Sequence, residues 1–202
     1  MTPCKMHTVY VTCLTEERPF QTWHSDATWA ERPPLGSILL ARAVPPVGGD
    51  TIFVDTAAAW SGLSPALKMR LAHMRALHGR PEGSTEGEWK GGAVKAFRTV
   101  RRTDLRGRPE VLHPVMRTHP DTGEQHLYVN PTFTLGLEED GTIVEHGEAS
   151  ALLSQLYTQM YSTPEYSCRF SWSGGSVAFW KTAHASIMPA VTFGPMHAGW
   201  SG

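Results

Sequence analysis

The sequence predicts a mainly β fold, a sandwich or barrel with helical decoration. Three observations carry that expectation. Short β-branched and apolar runs recur along the chain, and only two segments show a helical period. Turn residues are frequent, with nineteen glycines and fifteen prolines among 202 residues. Hydrophobic residues make up 41% and charged residues 18%, which allows a buried core and argues against wholesale disorder. The length suits one domain, or at most two small ones.

The elements follow in order. The run from His7 to Cys13 is rich in β-branched residues and reads as a strand. Trp23 to Trp29 is a second, short extended piece, ended by Pro33-Pro34. Gly36 to Val44 is an apolar strand that stops at Pro45-Pro46, and Gly48-Gly49-Asp50 is a turn into the strand Thr51 to Val54. A helix is expected next, with Ser64 as N-cap and Pro65 at its first position. Leu67, Leu71 and Met74 line its face, and Gly79 ends it. Residues 80–110 have no clear period and read as a long surface loop, a lid or an insert. Val111 to His119 and Gln125 to Val129 flank the turn signal Pro120-Asp121-Thr122-Gly123 and read as a hairpin. Glu148 to Tyr161 is the second helix, with Leu152, Leu153, Leu156 and Met160 on its apolar face. Cys168 to Trp172 and Ser176 to Trp180 are expected to form a last hairpin around Gly174-Gly175. The tail from Ile187 to Gly202 has little pattern, and there are no internal repeats.

Several function classes are disfavoured. A net charge of −1 offers no electrostatic footprint for nucleic acid or an anionic membrane. No apolar run approaches the ~20 residues of a membrane span. Cys4, Cys13 and Cys168 are odd in number and contain no CxxC pair, so neither a disulfide framework nor a zinc knuckle is expected. Reduced, mostly buried thiols in a cytoplasmic protein are the expectation. The first residues lack the continuous apolar core of a signal peptide, which fits the same location. No GxGxxG or P-loop motif is present.

The best local chemical signal is Trp23-His24-Ser25-Asp26. In a strand, residues two apart project from one face. His24 and Asp26 can therefore aim an imidazole nitrogen and a carboxylate oxygen at one point. A second histidine from elsewhere would complete two histidines and one carboxylate, the open-sided ligand set of non-haem Fe(II) oxygenases. Alone, HxD is weak: a surface histidine beside a turn aspartate reads the same. His73 and His78 fall on the first helix and read as part of its face. His113 and His119 read as structural strand residues, and His7, His126, His146 and His197 lack a partner nearby in sequence.

Further motifs follow in one order: Gly48-Gly49-Asp50-Thr51, then His113-Pro-Val-Met-Arg-Thr-His-Pro120, then Leu127-Tyr-Val-Asn130, Phe133-Thr134 and Val177-Ala-Phe-Trp180. Together with the HxD segment, from about Thr8 to His184, the chain resembles the taurine/sulfonate dioxygenase family of Fe(II)/2-oxoglutarate-dependent enzymes, which includes alkylsulfate and aryloxyacetate dioxygenases. The resemblance implies a double-stranded β-helix, a cupin-like jelly roll, with residues 1–202 forming a single domain. It implies Fe(II) held by His24, Asp26 and His184, and 2-oxoglutarate bonded through one carboxylate by Thr51. Trp29 and Phe133 match aromatic positions around the family's substrate pocket. The implied partners are a small organic substrate and O2, with no nucleic acid and no membrane, and self-association is left open. The implied reaction hydroxylates a carbon beside the heteroatom of a sulfonate, alkyl sulfate or aryloxyacetate, while 2-oxoglutarate becomes succinate and carbon dioxide.

The chain also departs from the family pattern. Trp180-Lys-Thr-Ala-His184 is about three residues shorter than the family's segment between that tryptophan and the second histidine. No arginine follows Arg169, where the family places one for the distal carboxylate of 2-oxoglutarate. Strands of the family before His7 and after Ile187 have no counterpart, so an incomplete jelly roll, truncated at both ends, is expected. The rival reading is a non-catalytic remnant or truncated product of the family, with at most weak metal binding. For Thr51 the plain alternative is an ordinary strand threonine, and for Trp29 and Phe133 it is core packing.

Overall fold

A computed structural model describes residues 8–11, 23–42, 44, 47–79, 110–182 and 185–189. The loop or lid expected at 80–110 lies outside the described residues except for Glu110, and so do Cys4, Cys13, His184, His197 and the tail beyond Pro189.

Two three-stranded sheets form the frame of the site. In the first, β1 (Thr8–Val11) runs parallel to β2 (Gly36–Ala41), whose other edge pairs antiparallel with β11 (Val177–Lys181). In the second, β3 (Thr51–Asp55) lies between β10 (Ser167–Phe170) and β12 (Ala185–Pro189), both antiparallel to it. The chain therefore passes from one sheet to the other between β2 and β3, again between β10 and β11, and again before β12. The third sheet orders β5 (Glu110–Pro114), β4 (Met74–Gly79), β8 (Thr134–Glu139) and β9 (Thr142–Ile143), while β6 (Met116–Thr118) and β7 (Gln125–Leu127) form a separate hairpin.

Several elements match the sequence and several correct it. The Gly48-Gly49 turn into β3 is present, with φ of 82° and 80° at the two glycines. The expected helix from Ser64 starts as read, with the Ser64 hydroxyl accepting from the Leu67 amide, but α2 (Pro65–Leu71) ends before His73. Met74 to Gly79 is a strand, not helix. Its apolar run is buried between β5 and β8, and such a run has the same composition in a buried strand or a buried helix. The expected hairpin around Gly174-Gly175 is likewise corrected. The turn is there, but β10 pairs with β3 and β11 with β2, so the two strands enter different sheets. Of the hairpin around residues 120–123, only β6 and β7 pair with each other. Residues 110–114 add to β4 instead. The patternless tail begins with a strand, β12.

Helix α1 (Thr56–Ser61) and the β8–β9 hairpin go unread in the sequence. Asp55 caps α1, its carboxylate accepting from the amides of Ala57 and Ala58 at 2.8 and 3.1 Å. The hairpin turns at Asp140-Gly141, where both residues have positive φ, as a two-residue turn of the type I′ class requires. The second helix, α3 (His146–Tyr161), is close to its expected span. Its buried face, with Leu152, Leu153, Leu156 and Met160, packs into one cluster with Val54 of β3, Trp60 of α1, Leu71 of α2 and Leu137 of β8. That cluster fixes β3, one of the strands of the candidate site. Cys168 is free and exposed, against the expectation of a buried thiol.

Two stability predictions follow from this packing. Leu156 is wholly buried in the main cluster, so Leu156→Ala should lower the free energy of unfolding by about 2–5 kcal/mol in urea titration. A loss under ~1 kcal/mol would mean that α3 does not close this core. The second concerns His78, wholly buried on β4, where burial, reinforced by the neighbouring His113, pushes its pKa down to about 3. Between that value and its ordinary 6.5 the unfolded chain binds the proton and the folded chain does not. Stability should therefore be fullest above pH 6.5 and fall with acidification by up to ~1.4 kcal/mol per pH unit from this group. His78→Gln should flatten the decline measured between pH 6.5 and 4.5. An unchanged slope would contradict burial of His78 as a neutral ring.

Candidate active site

The HxD segment is held by β12. His24 forms an isolated antiparallel bridge with Ile187, its amide donating to the Ile187 carbonyl at 3.0 Å and its carbonyl accepting from the Ile187 amide at 2.7 Å. Side chains repeat the attachment. The Ser25 hydroxyl donates to the Ala185 carbonyl at 2.9 Å, and the Ser186 hydroxyl donates to the His24 carbonyl at 3.2 Å. Tyr161 of α3 lies 3.0 Å from the Ser186 hydroxyl and stacks on Trp23 with ring centroids 4.5 Å apart. The segment is thus fastened both to a sheet and to the helix that closes the core.

This anchoring brings the two HxD side chains together. The His24 imidazole is buried, and its Nε2 lies 3.6 Å from Asp26 Oδ1. The other carboxylate oxygen, Oδ2, accepts from the Ser37 hydroxyl of β2 at 2.5 Å. One oxygen of Asp26 is therefore held by the first sheet while the other faces the imidazole. The pair also spans the two sheets: His24 is tied to β12, and Asp26 to β2. Beyond Asp26 the chain turns sharply, with Ala27 at a φ of 53°, a conformation uncommon for a residue with a side chain.

A buried polar cluster positions the far side of that turn. The Thr28 hydroxyl lies 3.0 Å from His78 Nδ1 and accepts from the Asn130 amide nitrogen at 3.3 Å. Asn130 accepts in turn from the Phe133 amide at 2.8 Å. His113 Nε2 donates to the Ala30 carbonyl at 3.0 Å, which places that ring's proton on Nε2. Burial lowers the pKa of His113, as it does for His78. His73 lies in a turn and His78 on a strand, not on a helix face as the sequence suggested, and the contacts of His78 and His113 are structural.

The two aromatic residues matched to the substrate pocket sit against the pair. Phe133 is buried and meets the His24 ring edge-on, with centroids 6.2 Å apart. Trp29 meets Phe133 at 4.4 Å, also edge to face. Thr51 lies on β3, whose neighbour β12 carries the bridge to His24. Its hydroxyl is buried and accepts from the Trp172 indole N–H at 3.0 Å, which leaves the hydroxyl's own proton to donate elsewhere. Trp172 is a residue that sequence reasoning passed over, and only its aromatic pairing with Phe170 marks it. Arg169, the last arginine of the chain, pairs with Asp50 beside Thr51 at 2.5 Å.

The donor set of His24 and Asp26, one imidazole nitrogen and one carboxylate oxygen, suits a divalent first-row metal. Two bonds of about 2.0–2.2 Å reach across the 3.6 Å between the two atoms. Among the described residues no group of three His, Cys, Asp or Glu side chains stands ready to hold a metal ion. His184, the third expected ligand, is outside them. His24, Asp26, Phe133 and Trp29 form one contiguous group, and Thr51 stands one strand further on.

Relatives place this arrangement in a family. The chain is 28% identical over 169 residues to an alpha-ketoglutarate-dependent sulfonate dioxygenase of Saccharomyces cerevisiae, covering 82% of this chain and 38% of the relative. It is 27% identical over 184 residues to an alkylsulfatase of Acinetobacter baylyi, covering 87% of this chain and 53% of the relative. It superimposes with a TM-score of 0.65 and 33% identity on the crystal structure of a taurine dioxygenase from Burkholderia xenovorans, over 86% of this chain and 52% of that one. The shared fold is the jelly roll that the sequence motifs imply. The chain spans about half or less of the length of these curated relatives. The profile described as taurine catabolism dioxygenase TauD, TfdA family, matches residues 5–185, and the chain belongs to that family.

Proposed function

We propose that this chain carries the iron- and 2-oxoglutarate-binding part of a dioxygenase that hydroxylates a small sulfonate, alkyl sulfate or related organic acid beside its heteroatom. The observation that supports this most is the convergence of His24 Nε2 and Asp26 Oδ1 at 3.6 Å beside β12, whose first residue, Ala185, follows His184 in sequence. When bound, Fe(II) supplies the activation of O2 that couples decarboxylation of 2-oxoglutarate, also called alpha-ketoglutarate, to oxidation of the substrate carbon.

The protein's own part is binding and orientation. His24, Asp26 and His184 would hold the metal, and Ser37 would fix the Asp26 carboxylate through Oδ2, so that Oδ1 keeps its direction. Thr51 would donate its remaining proton to a 2-oxoglutarate carboxylate, with Trp172 holding the oxygen in place. Phe133 and Trp29 would form an apolar wall that limits water beside the metal. A second reading, a chain that holds metal but not 2-oxoglutarate, is favoured by one observation: Arg169 is committed to Asp50, and no later arginine exists in these 202 residues.

Titration of Fe(II) into the metal-free chain under anaerobic conditions separates the parts of this reading. His24→Ala and Asp26→Ala should each weaken iron by at least ~100-fold, and Ser37→Ala by about 10–100-fold, the usual cost of losing an outer partner of a ligand. Equal iron affinity in all three variants would sink the site.

The co-substrate is tested separately. Thr51→Val should weaken 2-oxoglutarate about 10- to 100-fold in calorimetry on the Fe(II)-loaded chain, the worth of a hydrogen bond to a charged group. Succinate release is then measured over sulfonates, alkyl sulfates and aryloxyacetates. Substrate-dependent succinate supports the enzyme, whereas iron loading with no 2-oxoglutarate binding supports the second reading.

A further inference from the structure

The turn that leads from Asn130 into β8 is closed on itself. The Asn130 amide donates to the Thr134 hydroxyl at 3.0 Å, the Phe133 amide to Asn130 Oδ1 at 2.8 Å, and the Thr134 amide to the Asn130 carbonyl at 3.0 Å. The Phe133 carbonyl accepts from the Gly79 amide at 3.0 Å, which ties the turn to β4, an interior strand of its sheet. Asn130, Thr132, Phe133 and Thr134 are all buried. A turn held by its own side chains keeps its shape without help from its neighbours.

The HxD segment lies against this turn at three places. The Thr132 hydroxyl donates to the Trp23 carbonyl at 2.9 Å, the Phe133 ring meets the His24 ring, and Asn130 Nδ2 donates to the Thr28 hydroxyl at 3.3 Å. These contacts fall just before His24, at His24, and two residues past Asp26. Backbone strain gives the direction of control. The HxD segment passes through Ala27 at a φ of 53°, whereas no residue from Asn130 to Thr134 has a positive φ. The unstrained turn is the template, and the strained segment follows it. Asn130 serves both with one side-chain amide: its oxygen holds the backbone that carries Phe133, and its nitrogen holds the exit of the HxD segment.

We propose that Asn130 is a positioning residue that locks the apolar wall at Phe133 to the His24–Asp26 segment, with Thr132 as a second point of attachment. Wall and segment then open together or not at all. The consequence at iron rests on the metal reading, while the lock itself belongs to the metal-free chain.

Hydrogen exchange of single amides, followed by NMR on the metal-free 202-residue chain, reads the lock directly. The informative amides are the crossed ones. Asn130→Ala should speed exchange at the His24 amide, and Thr28→Val at the Phe133 amide, each by at least ~10-fold, the worth of a buried hydrogen bond. Amides of α3 should stay as in the native chain. Thr28→Ser keeps the hydroxyl and should hold the Phe133 amide at its native rate. Native rates at both crossed amides, or equal loosening of α3, overturn the proposal. Anaerobic Fe(II) titration then follows the consequence: Asn130→Ala should weaken iron about 10-fold, the low end for an outer partner of a ligand. Native iron affinity in Asn130→Ala, where His24→Ala loses iron, overturns the positioning role. Native affinity in His24→Ala as well is the failure of the metal reading, and the crossed amides then decide the lock alone. Should Asn130→Ala fail to fold, Thr132→Val supplies the His24 readout in its place.

Discussion

The backbone of His24 exchanges both of its hydrogen bonds with Ile187, and this short bridge is what turns a loop into a site. Without it the segment from Trp23 to Asp26 would be tied to the rest of the described residues through side chains alone, and each such hydrogen bond is worth about 0.5–1.5 kcal/mol. With it, the imidazole is directed from the β10–β3–β12 sheet while Asp26 is directed from β2 through Ser37. The distance between His24 Nε2 and Asp26 Oδ1 is therefore set by the relation of two sheets. Rigid elements hold a pair of side chains more closely than a loop can.

That dependence explains the density of buried hydrogen bonding around the turn. Ala27 takes a backbone conformation that its side chain disfavours, and the turn persists because both of its flanks are fixed. On one side Ser25 and Ser186 tie the chain to β12. On the other Thr28 is held between His78 and Asn130, and the Ala30 carbonyl accepts from His113. Histidines that sequence spacing leaves without a role thus form the support of the HxD turn. Their depressed basicity follows from the same burial, and a neutral ring is the form that fits among uncharged partners.

Much of this was legible in the sequence, for specific reasons. The HxD pair does converge, but the extended piece expected from Trp23 to Trp29 is a single bridge at His24 followed by a turn from Asp26, so Asp26 is aimed by Ser37 and not by alternation along a strand. The Gly48-Gly49 turn and the start of α2 at Ser64-Pro65 carry local backbone chemistry that context does not override. What failed was non-local. Met74 to Gly79 reads equally well as helix or strand until β5 and β8 flank it, and the two strands around Gly174-Gly175 look like a hairpin until their partners β3 and β2 are known. Asp140-Gly141 was a missed opportunity, since that dipeptide is a strong turn signal in its own right. Trp172, just past the end of β10, could not have been found, because its role comes entirely from a hydrogen bond to Thr51, far away in sequence.

The central claim is that His24 and Asp26 ligate a metal together with a second imidazole. X-ray absorption of the anaerobic, Fe(II)-loaded chain tests it directly. The account predicts a first shell of nitrogen and oxygen at about 2.0–2.2 Å with the outer-shell scattering of two imidazole rings, falling to one ring in His24→Ala. A shell of oxygen alone, with no imidazole scattering in the native chain, would contradict it.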